Sequence, residues 1–459
     1  MSAADWTQAV REAVRIDLAH VPPPVLEQLG RVTADTVGVS VAGHREDIMQ
    51  SLLAADVLGD VAPVTESGAT VLSPAMSRTG PETAAFLNAT AGSFLELDEG
   101  MRPTGHPAMQ VVPAALAVAE TAHSSGLAFA RAVLAGYEVT ARLFTAYRLR
   151  YPVHPHGHFG AVGAAVAAAL LSETDPVRAA EIAATTPVLS VWNACYEGAT
   201  ARNTWMGGAA SSGVRATRLA RAGFTGSREG LPAAFGEIAG QLVDDSVLTD
   251  SLDYDSLGIT RNYFKRHSAC ALTHAAIDAL LDMELPDAAD IKAIEVETVE
   301  NNMKLARQAR GNDLSARFSL PYAVAAVAMR GRSDLDTFRY DARVAELARR
   351  VDVAVAPDLE QLWPDASPTR VTVHWTGGQV RKQVDNPYGH HSHPITGSDL
   401  RAKFTRNVGS GAELLWKTLT DLNAVSDCAS LFDGRREASI VPPRVPSRAK
   451  PLHEDVAHD

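Results

Sequence analysis

Apolar residues recur at three- and four-residue spacing through roughly the first 265 positions, the period of helices with one buried face. "PPPVLEQLGRVTADTVGVSVAG" opens after prolines and ends on Gly43. "GPETAAFLNATAGSFLELDEG" opens after a glycine–proline stop, and "GLAFARAVLAGYEVTARLFTAY" follows Ser124, Ser125 and Gly126. "DPVRAAEIAATTPVLSVW" and "GGAASSGVRATRLARAGFTG" continue the series. Few segments alternate in the strand manner. The alanine and glycine content predicts helices packed closely over small side chains.

The pattern changes near residue 290. "IKAIEVETVE" alternates as a strand does, and "TRVTVHWTGGQVRKQVDNP" reads as a hairpin turning at Gly377 and Gly378. "ARFSLPYAVAAVAMRGR" reads as a helix ending at glycine. "SDLRAKFTRNV" and "GAELLWKTLTDL" return to the helical period, with Ser398 as the expected N-cap. The predicted fold is therefore mainly α: a large all-helical domain, 1–268 and 400–445, with a smaller α+β domain, 269–399, inserted in it. A chain of 459 residues also exceeds what one core normally holds. The tail, 446–459, is polar and follows a proline-rich stretch; it is expected to be disordered or draped on a neighbour.

Composition narrows the function. Hydrophobic residues make up 46% and charged residues 21%, an ordinary globular balance. The 42 basic and 54 acidic residues leave a formal charge of −12, which argues against a nucleic-acid binder. An acidic substrate remains open, since a local basic pocket acts at short range. Cys195, Cys270 and Cys428 are odd in number and lack CxxC spacing, so a disulfide framework or structural zinc site is not expected. The N-terminal segment lacks the basic start and apolar core of a signal peptide, and no apolar run reaches ~20 residues. A cytoplasmic protein is the expectation. No P-loop is present, and no GxGxxG lies between a strand and a helix.

Five stretches can carry chemistry. In "ELDEGMRPTGHPAMQ", Glu96, Asp98 and Glu99 precede His106 at the mouth of an apolar helix. A carboxylate can fix an imidazole tautomer for acid or base work; the spacing alone favours a polar, solvated helix entry. "YPVHPHGHFGAVGAA" alternates His154, His156 and His158, as a metal site, a lone acid or base, or a plain loop would. In "NYFKRHSACALTHAA", Lys265, Arg266 and His267 precede a helix and can attract an anion; a solvated basic turn is the alternative. Cys270 and His274 share a helical face there. In "ARFSLPYAVAA", Arg317 and Tyr322 either reach a ligand or anchor the helix. "GHHSHP", 389–394, reads as a hinge loop before a metal site.

In series, "DTVGVSVAG", "LELDEG…GHPAMQVVPAALAVAE", "AGYEVTARL", "HPHGHFGAVGAAVAAALL", "GGAASSGVRATRLARAGFTG", "YFKRHSACALTHAAIDALL", "ARFSLPYAVAAVAMRG" and "LRAKF" resemble the MmgE/PrpD family over nearly the whole chain. That family includes 2-methylcitrate dehydratases, cis-aconitate decarboxylases and an iminodisuccinate epimerase. The resemblance implies a helical domain and a lid with the active site between them, a homodimer, and no cofactor or essential metal. Residue by residue it implies His106, His154, Lys265 and Tyr322 as catalytic groups. Glu96, Asp98, Arg202 and Cys270 are implied in substrate binding. Arg202 and Cys270 stand where the decarboxylase branch has lysine and histidine, and Trp205 also replaces a histidine. These departures turn the expectation toward a hydro-lyase on a small di- or tricarboxylate. His106 and His154 would be its acid/base pair, Lys265 and Arg202 its carboxylate clamps, and Tyr322 a hydrogen-bond donor. An epimerase, a decarboxylase, a non-catalytic binder and a metallohydrolase using His154, His156 and His158 are the alternatives.

Overall fold

The structure, a computed structural model, describes residues 5–55 and 68–434. The expected tail lies outside the described residues. The chain is mainly α-helical, and the helix starts follow their sequence signals. Pro23–Gly43, Pro81–Phe94 and Pro107–Thr121 each carry proline in the first turn, where no amide partner is needed. Ser125 caps Gly126–Ala146, and Asp175 caps Pro176–Thr185.

The helix Phe159–Leu171 is the hub of the larger core. It packs against Pro107–Thr121, Gly126–Ala146, Pro176–Thr185 and Thr204–Arg221. Buried on every side, it shows no polar face, as its run of alanine and valine requires. Its approach to Gly126–Ala146 depends on hydrogen-only positions. A Cβ on Gly163 would stand 2.3 Å from the Gly136 carbonyl oxygen. Two helices crossing this closely gain dispersion contacts along their backbones in place of long side chains.

The second core surrounds a four-stranded sheet. Its strand order is Gly378–Val384, Thr369–Trp375, Ile291–Thr298, Val351–Val355. The hairpin pairs Gly378 with Trp375, as the sequence predicts. The pair Ile291–Thr298 and Val351–Val355 is parallel. Ile294, Val296, Val371 and Val373 face inward against Ile277 and Val324, which lie on the helices His274–Leu281 and Leu320–Arg330. Each such burial is worth roughly 1.5–3 kcal/mol. Trp192, Cys195 and Tyr196, from the first half of the chain, join this core.

Two local readings change. The helix Gly397–Val408 is capped by Thr396, whose hydroxyl accepts from the Asp399 amide, and not by Ser398. Thr396 lies three residues before that free amide, the distance an N-cap needs. "ARFSLPYAVAAVAMRG" breaks at Phe318, and Ser319 caps a new helix, Leu320–Arg330. Gly331, at φ +62°, ends it in the left-handed conformation. Among the described residues no helix is long and apolar enough to cross a membrane.

Candidate active site

Between the two cores lies a cavity of about 710 Å3, within the usual size of a small-ligand site. Glu96, His106, His154, Arg202, Lys265 and Cys270 all line it, so six expected site residues converge. Asp98 sits directly behind, completely buried.

The acidic segment reaches the cavity as irregular backbone after the helix Pro81–Phe94, with Glu96 at φ +52°. Three partners fix its alternate carbonyls. Ser268 donates to Leu95 at 2.5 Å, Lys403 to Leu97 at 2.7 Å, and His106 Nδ1 to Glu99 at 2.7 Å. The side chains of Glu96 and Asp98 are thereby turned together toward Lys265. Its Nζ donates to Glu96 Oε2 at 3.1 Å and to Asp98 Oδ1 at 3.0 Å. Arg202 pairs with the other oxygen of Glu96. Asp98 Oδ2 lies 2.8 Å from His106 Nδ1.

This packing explains the charges. Burial works to raise the Asp98 carboxyl, but Lys265 and His106 outweigh it and hold it well below the usual range. Burial opposes the Lys265 and Arg202 charges, and the carboxylates of Asp98 and Glu96 reverse that effect. Two cations and two anions therefore compensate one another. Lys265 and Arg202, expected to clamp substrate carboxylates, here have their charges met by Glu96 and Asp98.

His106 caps the helix Pro107–Thr121 from outside its helical turns. A carbonyl only accepts, so the Glu99 contact puts the proton on Nδ1. In the neutral ring Nε2 is then the free base. Asp98, on the same nitrogen, reinforces that tautomer.

The opposite wall is neutral. His154 packs edge-on against Trp192 at 4.3 Å between ring centroids, and lies 5.5 Å from Trp205. His156 bridges the two walls, 4.3 Å from His154 and 4.6 Å from His106. Burial, then the Arg202 charge, drives His154 and His156 well below the ordinary imidazole range. His154 is thus held as a neutral imidazole, and the symmetric acid/base pair expected with His106 becomes an unequal one. His158 turns away to bond the His154 carbonyl at 2.6 Å. Instead Asp98, His106 and His156 place their ligand atoms within 4.8 Å of one another. Lys265 beside Asp98 opposes a metal cation there.

Tyr322 lies apart from the cavity. Its hydroxyl donates to the Arg339 carbonyl and accepts from the Asp341 amide, both at 2.8 Å. It anchors a helix to the following loop, which corrects its expected role as substrate donor. His267 bonds Asp278 at 2.9 Å and Ser333 at 2.8 Å, so it is structural. Cys270 faces the cavity as a thiol, pushed up to about 11 by burial. His390 is bonded within the GHHSHP loop, to Ser392.

Tyr263, Arg102 and Lys304 also line the cavity, and sequence reading passed over them. Tyr263 had a signal: it precedes Lys265 by two residues, the spacing that shares one face of a strand. It enters through Asn262–Tyr263 pairing with Gly100–Met101. A Cβ on Gly100 would fall 2.3 Å from its ring, so only glycine admits it.

Residues 8–244 match the MmgE/PrpD N-terminal domain and residues 267–413 the MmgE/PrpD C-terminal domain. Among curated proteins, human cis-aconitate decarboxylase is 25% identical over 480 aligned positions, covering 96% of this chain and 96% of its own. Mouse cis-aconitate decarboxylase is 25% identical over 451, covering 90% and 89%.

Proposed function

The chain is a member of the MmgE/PrpD family, and from that premise we propose that it is a lyase acting on a small di- or tricarboxylate, with loss of water as its reaction. One observation carries the reading most: His106 has its proton fixed on Nδ1 by Glu99 and Asp98, leaving Nε2 for the cavity. A base so placed removes a proton from the carbon beside a carboxylate. Proton transfer of this kind contributes ~10²–10⁴-fold. Asp98 then holds the imidazolium until the leaving hydroxyl takes the proton.

His154 and His156 stay neutral and serve as hydrogen-bond partners of the substrate, in a pocket walled by Trp192 and Phe318. Glu96, Asp98, Lys265 and Arg202 form the rigid charged floor beneath His106. On this reading the part built around the four-stranded sheet is a lid over the cavity, and the enzyme is a cytoplasmic homodimer that needs no metal.

Decarboxylation is the second reading, favoured by the names of the curated relatives. Against it, the neutral thiol of Cys270 offers no cationic acid at that point.

The test is a panel of hydroxy di- and tricarboxylates, scored for C=C absorbance, with CO2 release measured on the unsaturated acids. A new C=C signal from a hydroxy acid, lost in His106→Ala, is the expected result. CO2 release without dehydration would establish the decarboxylase instead. Inversion of a stereocentre with neither signal would establish the epimerase.

A further inference from the structure

The compensation on the cavity floor leaves a question of charge. Carboxylate substrates need cations that are not already neutralised, and Lys265 and Arg202 are spent on Glu96 and Asp98. Two other cations line the same cavity.

Arg102 has no carboxylate within ion-pair distance among the described residues, and its Nε has no hydrogen-bond partner. Its guanidinium lies 5.4 Å from the Tyr263 ring centroid. The other titratable groups facing it are Cys270, His390 and His391, none of them anionic at neutral pH. Among the described residues the Lys304 ammonium is bonded only to the Asn301 side chain, at 2.7 Å, and sits 5.8 Å from the Trp192 ring centroid. Burial opposes both charges. The Cys270 thiol lies within electrostatic reach of each, so the two cations flank one residue of the cavity wall.

We propose that Arg102 and Lys304 are the substrate-anchoring pair: each receives one carboxylate of a di- or tricarboxylate whose reacting carbon lies against His106. This deepens the function proposed above and rests on it. A guanidinium that cannot lose its proton, half enclosed and without an anion, gains most from a carboxylate. Tyr263 and Trp192 hold the two cations over their ring faces. Two separated anchors also explain a preference for two carboxylates over one. A monocarboxylate leaves one cation uncompensated.

Titration calorimetry of the full chain with cis-aconitate, citrate and succinate, and with acetate as the one-carboxylate control, tests this. Wild type is expected to bind at least one polycarboxylate far more tightly than acetate. Arg102→Gln and Lys304→Gln should each weaken that binding about 10- to 100-fold, the range for a lost charge-assisted hydrogen bond. Arg102→Lys should recover part of it. In turnover, KM should rise more than kcat falls. His106→Ala should bind normally and turn over ~10²–10⁴-fold more slowly. Circular dichroism confirms that each variant is folded, and Arg102→Lys stands in if Arg102→Gln is not. Wild-type binding that both Gln variants match overturns the anchoring pair and leaves the lyase reading standing. No polycarboxylate binding by the wild type overturns both.

Discussion

The two walls of the cavity present histidines only 4.6 Å apart, yet their surroundings are opposite. His106 touches a buried carboxylate and a backbone carbonyl, inside a lattice of two cations and two anions. His156 and His154 touch aromatic rings and the Arg202 charge, and neither Nδ1 has a hydrogen-bond partner. One wall sets an imidazole against a carboxylate; on the other, burial and the Arg202 charge push the imidazoles well below their usual range. Adjacent groups of one chemical type can therefore divide the work, with a proton carrier on one side and a neutral recogniser on the other.

Removing the proton carrier is the severest way to break that contrast. His106→Ala should lower turnover by ~10²–10⁴-fold while the melting temperature moves little. His154→Ala should cost far less, about tenfold, because it loses a hydrogen bond and no charge. Steady-state rates on whichever acid the panel identifies give the ratio. Equal losses in both variants would erase the division of labour.

The charged wall should also matter more for folding. Lys265→Met leaves Asp98 without its cation in a fully buried place, a loss of about 3–5 kcal/mol. Adding Asp98→Asn should recover a good part of that, since the stranded charge is the cause. Urea denaturation of the single and double variants measures both steps. No recovery would mean that the ion pair is not what Lys265 supports.

How far the sequence shows these walls differs between them. His106, Glu96 and Asp98 are near neighbours in one short stretch, which reads from spacing as a solvated helix entry and only in series with the other landmarks as a cluster. The helices announce themselves through first-turn prolines and periodicity. The partners of Glu96 and Asp98 do not, because Lys265 lies 169 and 167 positions further on. Lys265 and Arg202 therefore look like free cations in sequence and are paired in space. Tyr322 misleads for a related reason. A tyrosine opening an apolar helix looks the same whether its hydroxyl meets a ligand or the Arg339 carbonyl. Arg102 sits in the same stretch as Glu96 and His106 but outside their carboxylate–histidine pattern, and Lys304 lies in a stretch with no motif signal.

The neutral wall should reveal itself in acid. Burial holds His158 down at about 4, against about 6.5 in an unfolded chain. A lowered folded value means stability present above 6.5 and lost as pH falls through 4. His158→Gln keeps a donor for the His154 carbonyl and removes the titration. Its stability should fall less than wild type between pH 6.5 and 4, by a few kcal/mol at most. Denaturant midpoints across that window check it, and parallel curves would place His158 among charged imidazoles.

Glu99 tests the seam between the walls from the alkaline side. Its carbonyl orients His106, but its own carboxyl is buried and pushed up to about 8, chiefly by burial and also by the nearby Asp98 charge. It accepts from the Ala108 amide at 3.2 Å, one bond where an ionised group would need several. The folded protein therefore keeps it protonated, while the unfolded chain ionises it near 4.5. Stability owed to Glu99 is complete below about 4.5 and drains away as pH rises through 8. Glu99→Gln holds the neutral shape at every pH. It should lie within about 1 kcal/mol of wild type near pH 5 and exceed it by ~3–4 kcal/mol near pH 8, before other groups titrate. Denaturation at the two pH values measures the difference. An unchanged slope would mean that Glu99 is ionised in the fold, and the charged lattice around His106 would then extend one carboxylate further than its hydrogen bonds show.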